Sequence, residues 1–155
     1  MFGIIQCSLY LRQRYQWRSF KCHLGKTISV SRSRLQRPVS PLILCIEDNE
    51  RYLLLRKAVL ERNGFSVLAA STGEQALEIL AEAPICLTIS DHMLRGTTGV
   101  RLAKKMKAIK PDVPVVFYSG HPPDSMKNVD AFINKDESTA KFLEMIGDLI
   151  VRYCS

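Results

Sequence analysis

Leu42-Ile43-Leu44-Cys45-Ile46-Glu47-Asp48 is five apolar residues that stop at two acids. A continuous apolar run this short marks a strand buried on both faces, as inside a parallel sheet; a strand with one wet face alternates instead. The same texture returns at 65–69, 85–90, 113–118 and 129–133. Pro114 lies near the start of the fourth run, where a missing N–H is tolerated.

Helical patterns separate these runs. Residues 50–62 are expected to form a helix with Leu54, Leu55, Ala58 and Val59 on one side, ended by Asn63-Gly64. Thr72-Gly73-Glu74-Gln75 has capping-box spacing. The helix it opens is expected to expose Glu74, Glu78 and Glu82, to bury Leu77, Leu80 and Ala81, and to stop at Pro84. A third helix, 99–110, turns Leu102, Ala103, Met106 and Ile109 inward and Lys104, Lys105 and Lys107 to water. Phe142, Met145, Ile146 and Leu149 recur at helical spacing in a last one. Residues 91–98, with Gly96, read as a loop. Two-sided apolar strands alternating with helices predict an α/β fold, a doubly wound five-stranded parallel sheet covered on both faces.

The chain has 155 residues and a formal net charge of +7. No apolar stretch approaches the roughly 18 residues of a membrane-spanning helix. The charge is unevenly placed. Residues 1–40 hold eight Lys and Arg and no acid, whereas residues 41–155 carry a net −1. The first segment lacks a sustained period and mixes Arg with Tyr10, Tyr15, Trp17 and Phe20. Its acid-free, Arg- and Ser-rich composition matches a transit peptide, and a start codon placed too early is the other reading. Residues 1–40 are therefore expected to be a basic leader, disordered or artefactual, ahead of a domain at 41–155. The five cysteines, Cys7, Cys22, Cys45, Cys86 and Cys154, show no C-x-x-C spacing, so neither a zinc site nor a disulfide framework is indicated. Cys45 and Cys86 lie in apolar runs, where a free thiol is a small hydrophobe, and a reducing cytoplasm is the simple reading.

In a parallel doubly wound sheet the site lies beyond the carboxyl ends of the strands. Those positions hold Glu47 and Asp48, then Asp91, then Ser119-Gly120, then Asn134-Lys135. Each alone has a bland reading, since an Asp after a strand is commonly a cap or turn residue. Together they form a legible set. Three converging carboxylates repel unless a cation intervenes, and hard oxygens suit Mg²⁺. Lysine offers a movable charge for a phosphoryl oxygen, serine a hydroxyl donor, and aspartate a nucleophile able to form an aspartyl phosphate.

On Glu47-Asp48-Asn49, Ile89-Ser90-Asp91-His92-Met93-Leu94 with Gly99, Tyr118-Ser119-Gly120 and Phe132-Ile133-Asn134-Lys135, residues 41–155 resemble the response-regulator receiver domain of two-component signalling, a chemotaxis-type, flavodoxin-like fold. The resemblance implies that Asp91 is the phosphoacceptor and that Ser119 and Lys135 hold the phosphoryl oxygens. Phe132 would change rotamer with Ser119. Glu47, Asp48, Asp91 and the Met93 carbonyl would surround Mg²⁺, Glu47 directly or through water. A histidine kinase or phosphotransfer protein would supply the group and a downstream protein would read it. Neither membrane nor nucleic acid is expected as a partner. No enzyme activity beyond slow self-dephosphorylation is implied.

Several positions depart from the family. Glu47 replaces a frequent Asp, Arg95 a usual Pro, and Asp136 a Pro whose peptide bond is commonly cis. Only fifteen residues separate Ser119 from Lys135, including His121-Pro122-Pro123, which leaves room for a shortened fourth helix of one or two turns near 124–128. No effector domain follows Ser155, so a stand-alone receiver is expected. The main alternative is a receiver-like interaction module that signals without phosphate. A nucleic-acid binder using the basic arm and a Mg²⁺-dependent hydrolase are weaker readings, the latter because no separate general acid is apparent.

Overall fold

The computed structural model describes residues 40–154. The basic leader expected at 1–40 lies outside them except for Ser40. Eleven elements follow in order: β1 (Leu42–Ile46), α1 (Glu50–Arg62), β2 (Ser66–Ala70), α2 (Gly73–Glu82), β3 (Leu87–Ser90), β4 (Met93–Leu94), β5 (Thr97–Thr98), α3 (Gly99–Ile109), β6 (Val115–Ser119), β7 (Ala131–Asn134) and α4 (Thr139–Tyr153).

Five strands form one parallel sheet in the order β2-β1-β3-β6-β7. The chain starts in the middle, winds to one edge and then crosses back, which creates the switch point between β1 and β3. Successive side chains on β1 feed opposite faces, as strand geometry requires. Leu44 and Ile46 join Leu80, Leu102, Met106 and Phe117 beneath α2 and α3. Ile43 and Cys45 join Leu53, Leu60, Ile89, Phe142 and Ile146 beneath α1 and α4. Burial drives the Cys45 thiol up to about 12, so it is a hydrophobe here.

Helix α2 begins where its cap predicts. The Thr72 hydroxyl accepts the Gln75 N–H at 3.2 Å. The Gln75 side chain returns to the Ser71 N–H at 2.9 Å, one residue before the usual capping-box partner. Helix phase is where sequence and structure part. On α1, Leu54 and Leu55 are exposed, and the inward row is Leu53, Arg56 and Leu60. Spacing of three and four residues sets that row, and three consecutive leucines conceal it. Ala81 and Ile109 are likewise exposed. Lys107 does not face water freely: its ammonium meets Asp130 at 2.8 Å and the Val113 carbonyl at 3.0 Å.

Three further corrections concern connections. The expected loop 91–98 contains a small antiparallel hairpin, β4 with β5, turned at Gly96 with φ +81. Between β6 and β7 the chain forms no helix at all. It makes a turn at Met126–Val129, with Asn128 at φ +64. Pro122 and Pro123 lack N–H donors for a helical ladder, and Asp130 is tied instead to the Val115 N–H at 2.7 Å. Finally, Cys86 and Cys154 form a disulfide, with Cα atoms 5.6 Å apart. The bond fastens the end of α4 to the approach to β3. Folding brings these cysteines together across 68 residues, a separation that no local spacing could signal.

Closing a loop of 68 residues contributes about 4 kcal/mol in the chain-entropy account. Reduction of this bond, or Cys154→Ser, is therefore expected to lower the unfolding free energy by about 2–4 kcal/mol. Urea melts with and without a phosphine reductant check this; superimposable curves would refute it.

Candidate functional site

The parallel register brings the strand ends to one edge. Ile46 lies opposite both Ala70 and Ser90, Ser90 opposite Phe117, and Ser119 opposite Asn134. The backbone bonds continue one step further: Glu47 N–H donates to Ala70 O at 3.1 Å, Asp91 N–H to Ile46 O at 2.9 Å and Lys135 N–H to Ser119 O at 3.0 Å. Capping of α1 falls to Asn49, whose side chain accepts the Arg51 and Tyr52 N–H groups at 3.1 and 3.4 Å. That leaves Glu47 and Asp48 free of the usual capping duty of an acid after a strand.

Lys135 is the centre of the charge arrangement. Its ammonium donates to Asp91 Oδ2 at 2.5 Å and to Glu47 Oε2 at 3.0 Å, and it lies 5.6 Å from the Tyr52 ring centroid. Burial pushes the Asp91 carboxyl up, but the Lys135 hydrogen bond, the Met93 N–H and the neighbouring positive charges outweigh it, leaving the group below its ordinary 3.8. For Lys135, burial works downward and is outweighed by its bonds to Asp91 and Glu47, so its pKa lies above 10.5. Near neutrality the result is an ionised, largely buried carboxylate held by a partly exposed ammonium.

Glu47 has a second partner that sequence reasoning missed. Arg56 Nη2 donates to the same Oε2 at 2.9 Å, with the two side chains only 4% and 2% exposed. The guanidinium also sits 4.6 Å from the Tyr118 ring centroid, while its Nε and Nη1 are buried without a hydrogen-bond partner among the described residues. Removing one partner from a buried pair of this kind typically costs about 3–5 kcal/mol. The available signal was the row Leu53, Arg56, Leu60, which reveals the arginine only once the helix phase is known.

The β4–β5 hairpin positions the remaining acids. Asp91 Oδ1 accepts the Met93 N–H at 3.0 Å, an Asx turn; Asp48 Oδ2 accepts the Arg95 N–H at 3.3 Å and faces its Nε at 3.2 Å. Gly99 closes the hairpin with an N–H bond to His92 O at 2.9 Å, and a Cβ there would lie 2.9 Å from His92 backbone atoms. Only glycine fits that approach. Ser119 is buried at the end of β6; Phe132 is half-buried, opposite Phe117 in the register and packed on the core beneath α2 and α3. The Met93 side chain is exposed, so only its backbone belongs to the site. The Lys135–Asp136 peptide bond is trans.

Fit to Mg²⁺ follows from donor chemistry. Among the described residues no three His, Cys, Asp or Glu side chains are gathered into a cation-holding group. Mg²⁺ does not require one, because it commonly takes one or two carboxylates and completes its shell with water and phosphate oxygens. Asp48 and Asp91, both bonded to N–H groups of one short hairpin, fit that role; Glu47 is engaged by two cations.

Comparison with known proteins gives a consistent result. Residues 43–146 match the family described as the response regulator receiver domain. The rice two-component response regulator ORR5 is 30% identical over 122 residues, which are 75% of this chain and 87% of that protein. The response regulator receiver protein CpdR of Brucella abortus is 33% identical over 79 residues, 51% of this chain and 65% of that one. The crystal structure of the receiver domain of the hybrid histidine kinase CckA superposes with a TM-score of 0.62 at 31% identity, covering 70% of this chain and 98% of the other. The chain spans less than two thirds of the bacterial relatives it matches, from 17% to 65% of their lengths. No helix among the described residues is long and apolar enough to cross a membrane.

The Asp91–Lys135 pair makes stability pH-dependent at both ends. The lowered Asp91 pKa contributes stability present above 3.8 and lost as pH falls through the lowered value. The raised Lys135 pKa contributes stability present below 10.5 and lost as pH rises through the raised value. Relative to Asp91→Asn, the native protein should therefore lose stability on acidification below 3.8, read from urea midpoints; parallel midpoints for the two proteins would contradict the pairing.

Proposed function

We propose that this chain, which belongs to the response regulator receiver domain family, accepts a phosphoryl group on Asp91 from a histidine kinase or phosphotransfer protein and switches its binding to a downstream protein. Receivers are signalling domains rather than classical enzymes, and this reading keeps that role. The observation that carries it is the bridge of Lys135 from Glu47 to Asp91. It keeps the Asp91 carboxylate ionised and oriented, with a partly exposed cation ready to move.

In the transfer, an Asp91 carboxylate oxygen attacks the phosphorus of a phosphohistidine. The new O–P bond forms as the N–P bond breaks, and its electron pair returns to the donor imidazole. Asp91 thereby becomes an acyl phosphate. The Lys135 ammonium loses its carboxylate partner and follows the negative charge to a phosphoryl oxygen, 3.0 Å from Glu47 at the start. The Ser119 hydroxyl, buried at the end of β6, donates to another phosphoryl oxygen. Movement of Ser119 opens space for Phe132, on the neighbouring strand opposite Phe117, to change rotamer and carry the state to the surface. Asp48, Asp91 and the Met93 carbonyl, with Glu47 adjoining, would hold Mg²⁺, which when bound would supply neutralising charge at the transferring group.

A stand-alone receiver is supported by the rice relative, 87% of whose length this chain matches. The cytoplasm is the proposed compartment, because that is where a kinase would feed Asp91. A reading as a phosphate-independent module has one specific observation in its favour: Glu47, Asp48 and Asp91 each already have a cation from the chain itself, Arg56, Arg95 and Lys135.

Incubation with Mg²⁺ and acetyl phosphate separates these readings. Phosphotransfer predicts a phosphate-sized mass gain, absent in Asp91→Asn and reduced at least tenfold in rate in Lys135→Met. No gain under conditions that label another receiver selects the phosphate-independent module.

A further inference from the structure

We infer that Arg56 is a resident cation of the acidic rim: it holds Glu47 away from the divalent metal and weakens Mg²⁺ binding until a phosphoryl group arrives. The inference rests on the receiver reading of Asp91 and Mg²⁺. It starts from an inequality among the three ion pairs. Arg95 reaches Asp48 with a side chain 87% exposed, and Lys135 reaches Asp91 with one 27% exposed. Exposed pairs are worth little and exchange readily with solvent ions. Arg56 is different. It is 4% exposed, comes from the core-facing row of α1, stacks against Tyr118, and has two further N–H-bearing nitrogens with no partner among the described residues.

Two consequences follow. If Glu47 turned to a metal, the guanidinium would lose its hydrogen bond to that carboxylate and remain a buried charge with no compensating partner among the described residues. The carboxylate is therefore committed inward, and the donors left to a metal are Asp48, Asp91 and the Met93 carbonyl. Arg56 also cancels one of the rim's negative charges at short range, lowering the attraction for any divalent cation. Entry of a phosphoryl group restores the missing negative charge. Metal and phosphoryl binding should then be strongly interdependent, each favouring the other. Arg56 thus acts as a positioning residue, through Glu47.

Calorimetric titration of the full chain with MgCl₂ tests this directly. Arg56→Met should bind Mg²⁺ at least tenfold more tightly than the native protein, because Glu47 is left to the partly exposed Lys135 and a buried positive charge is gone. In the Glu47→Gln background the same substitution should leave affinity within about threefold of native, since a neutral pair has been exchanged for neutral residues. If Arg56→Met does not melt cooperatively, Arg56→Gln replaces it, keeping an N–H donor for Glu47 while losing the charge. Unchanged or weaker Mg²⁺ binding in a cooperatively melting variant overturns the inference. So does tightening that persists fully without Glu47, which would mean that Arg56 does not act through that side chain. Parallel labelling with acetyl phosphate keeps the two levels apart. Absence of a phosphoform in every variant would defeat the receiver chemistry, whereas normal labelling with unaltered Mg²⁺ affinity would defeat only the role of Arg56.

Discussion

Parallel strands end together, and that constraint brings like charges into company. The register that sets Ile46 beside Ser90 delivers Glu47 and Asp91 to one edge, with Asp48 next to them. Three carboxylates so placed repel one another unless cations lie nearby. The chain supplies them from three different places: the last strand's end, the hairpin after β3, and the inward side of α1. Their accessibility grades from an arginine tip in solvent, through a half-covered lysine, to a guanidinium inside the core. That gradation decides which contacts can be exchanged for a ligand and which belong to the scaffold.

Much of this could be read from the residues. The five apolar runs and their strand-end acids, serine and lysine are local features, and each strand's own sequence shows where it stops. Glu47, Asp91 and Lys135 stand in direct contact, as convergence at one edge requires. What escaped the reading depends on information not held in any short window. Arg56 sits in a helix with Leu53, Leu54 and Leu55 in succession, so the inward direction is ambiguous until the helix is laid on the sheet. Its partner is nine residues away, just past the end of β1. The cysteine pair is separated by 68 residues and has no spacing motif. The hairpin at 93–98 is too short to produce a periodic signal and depends on Gly96 and Gly99 for its shape.

The stretch between β6 and β7 shows how economy of length reshapes a fold without disturbing its site. With two prolines and a left-handed Asn128, it crosses the sheet's end as irregular chain. Asp130 takes over as an anchor, binding both the first N–H of β6 and Lys107 of α3. Ser119 and Lys135, which bracket the stretch, keep their places because adjacent strands, rather than the intervening segment, hold them.

The covalent link between Cys86 and Cys154 has a topological side. It draws the chain into a ring that contains Asp91, Ser119, Phe132 and Lys135, while Glu47, Asp48 and Arg56 lie on the tail outside it. A backbone break in the helix-free crossing at 120–130 would therefore leave one connected molecule, with Asp91 and Lys135 still joined through sulfur.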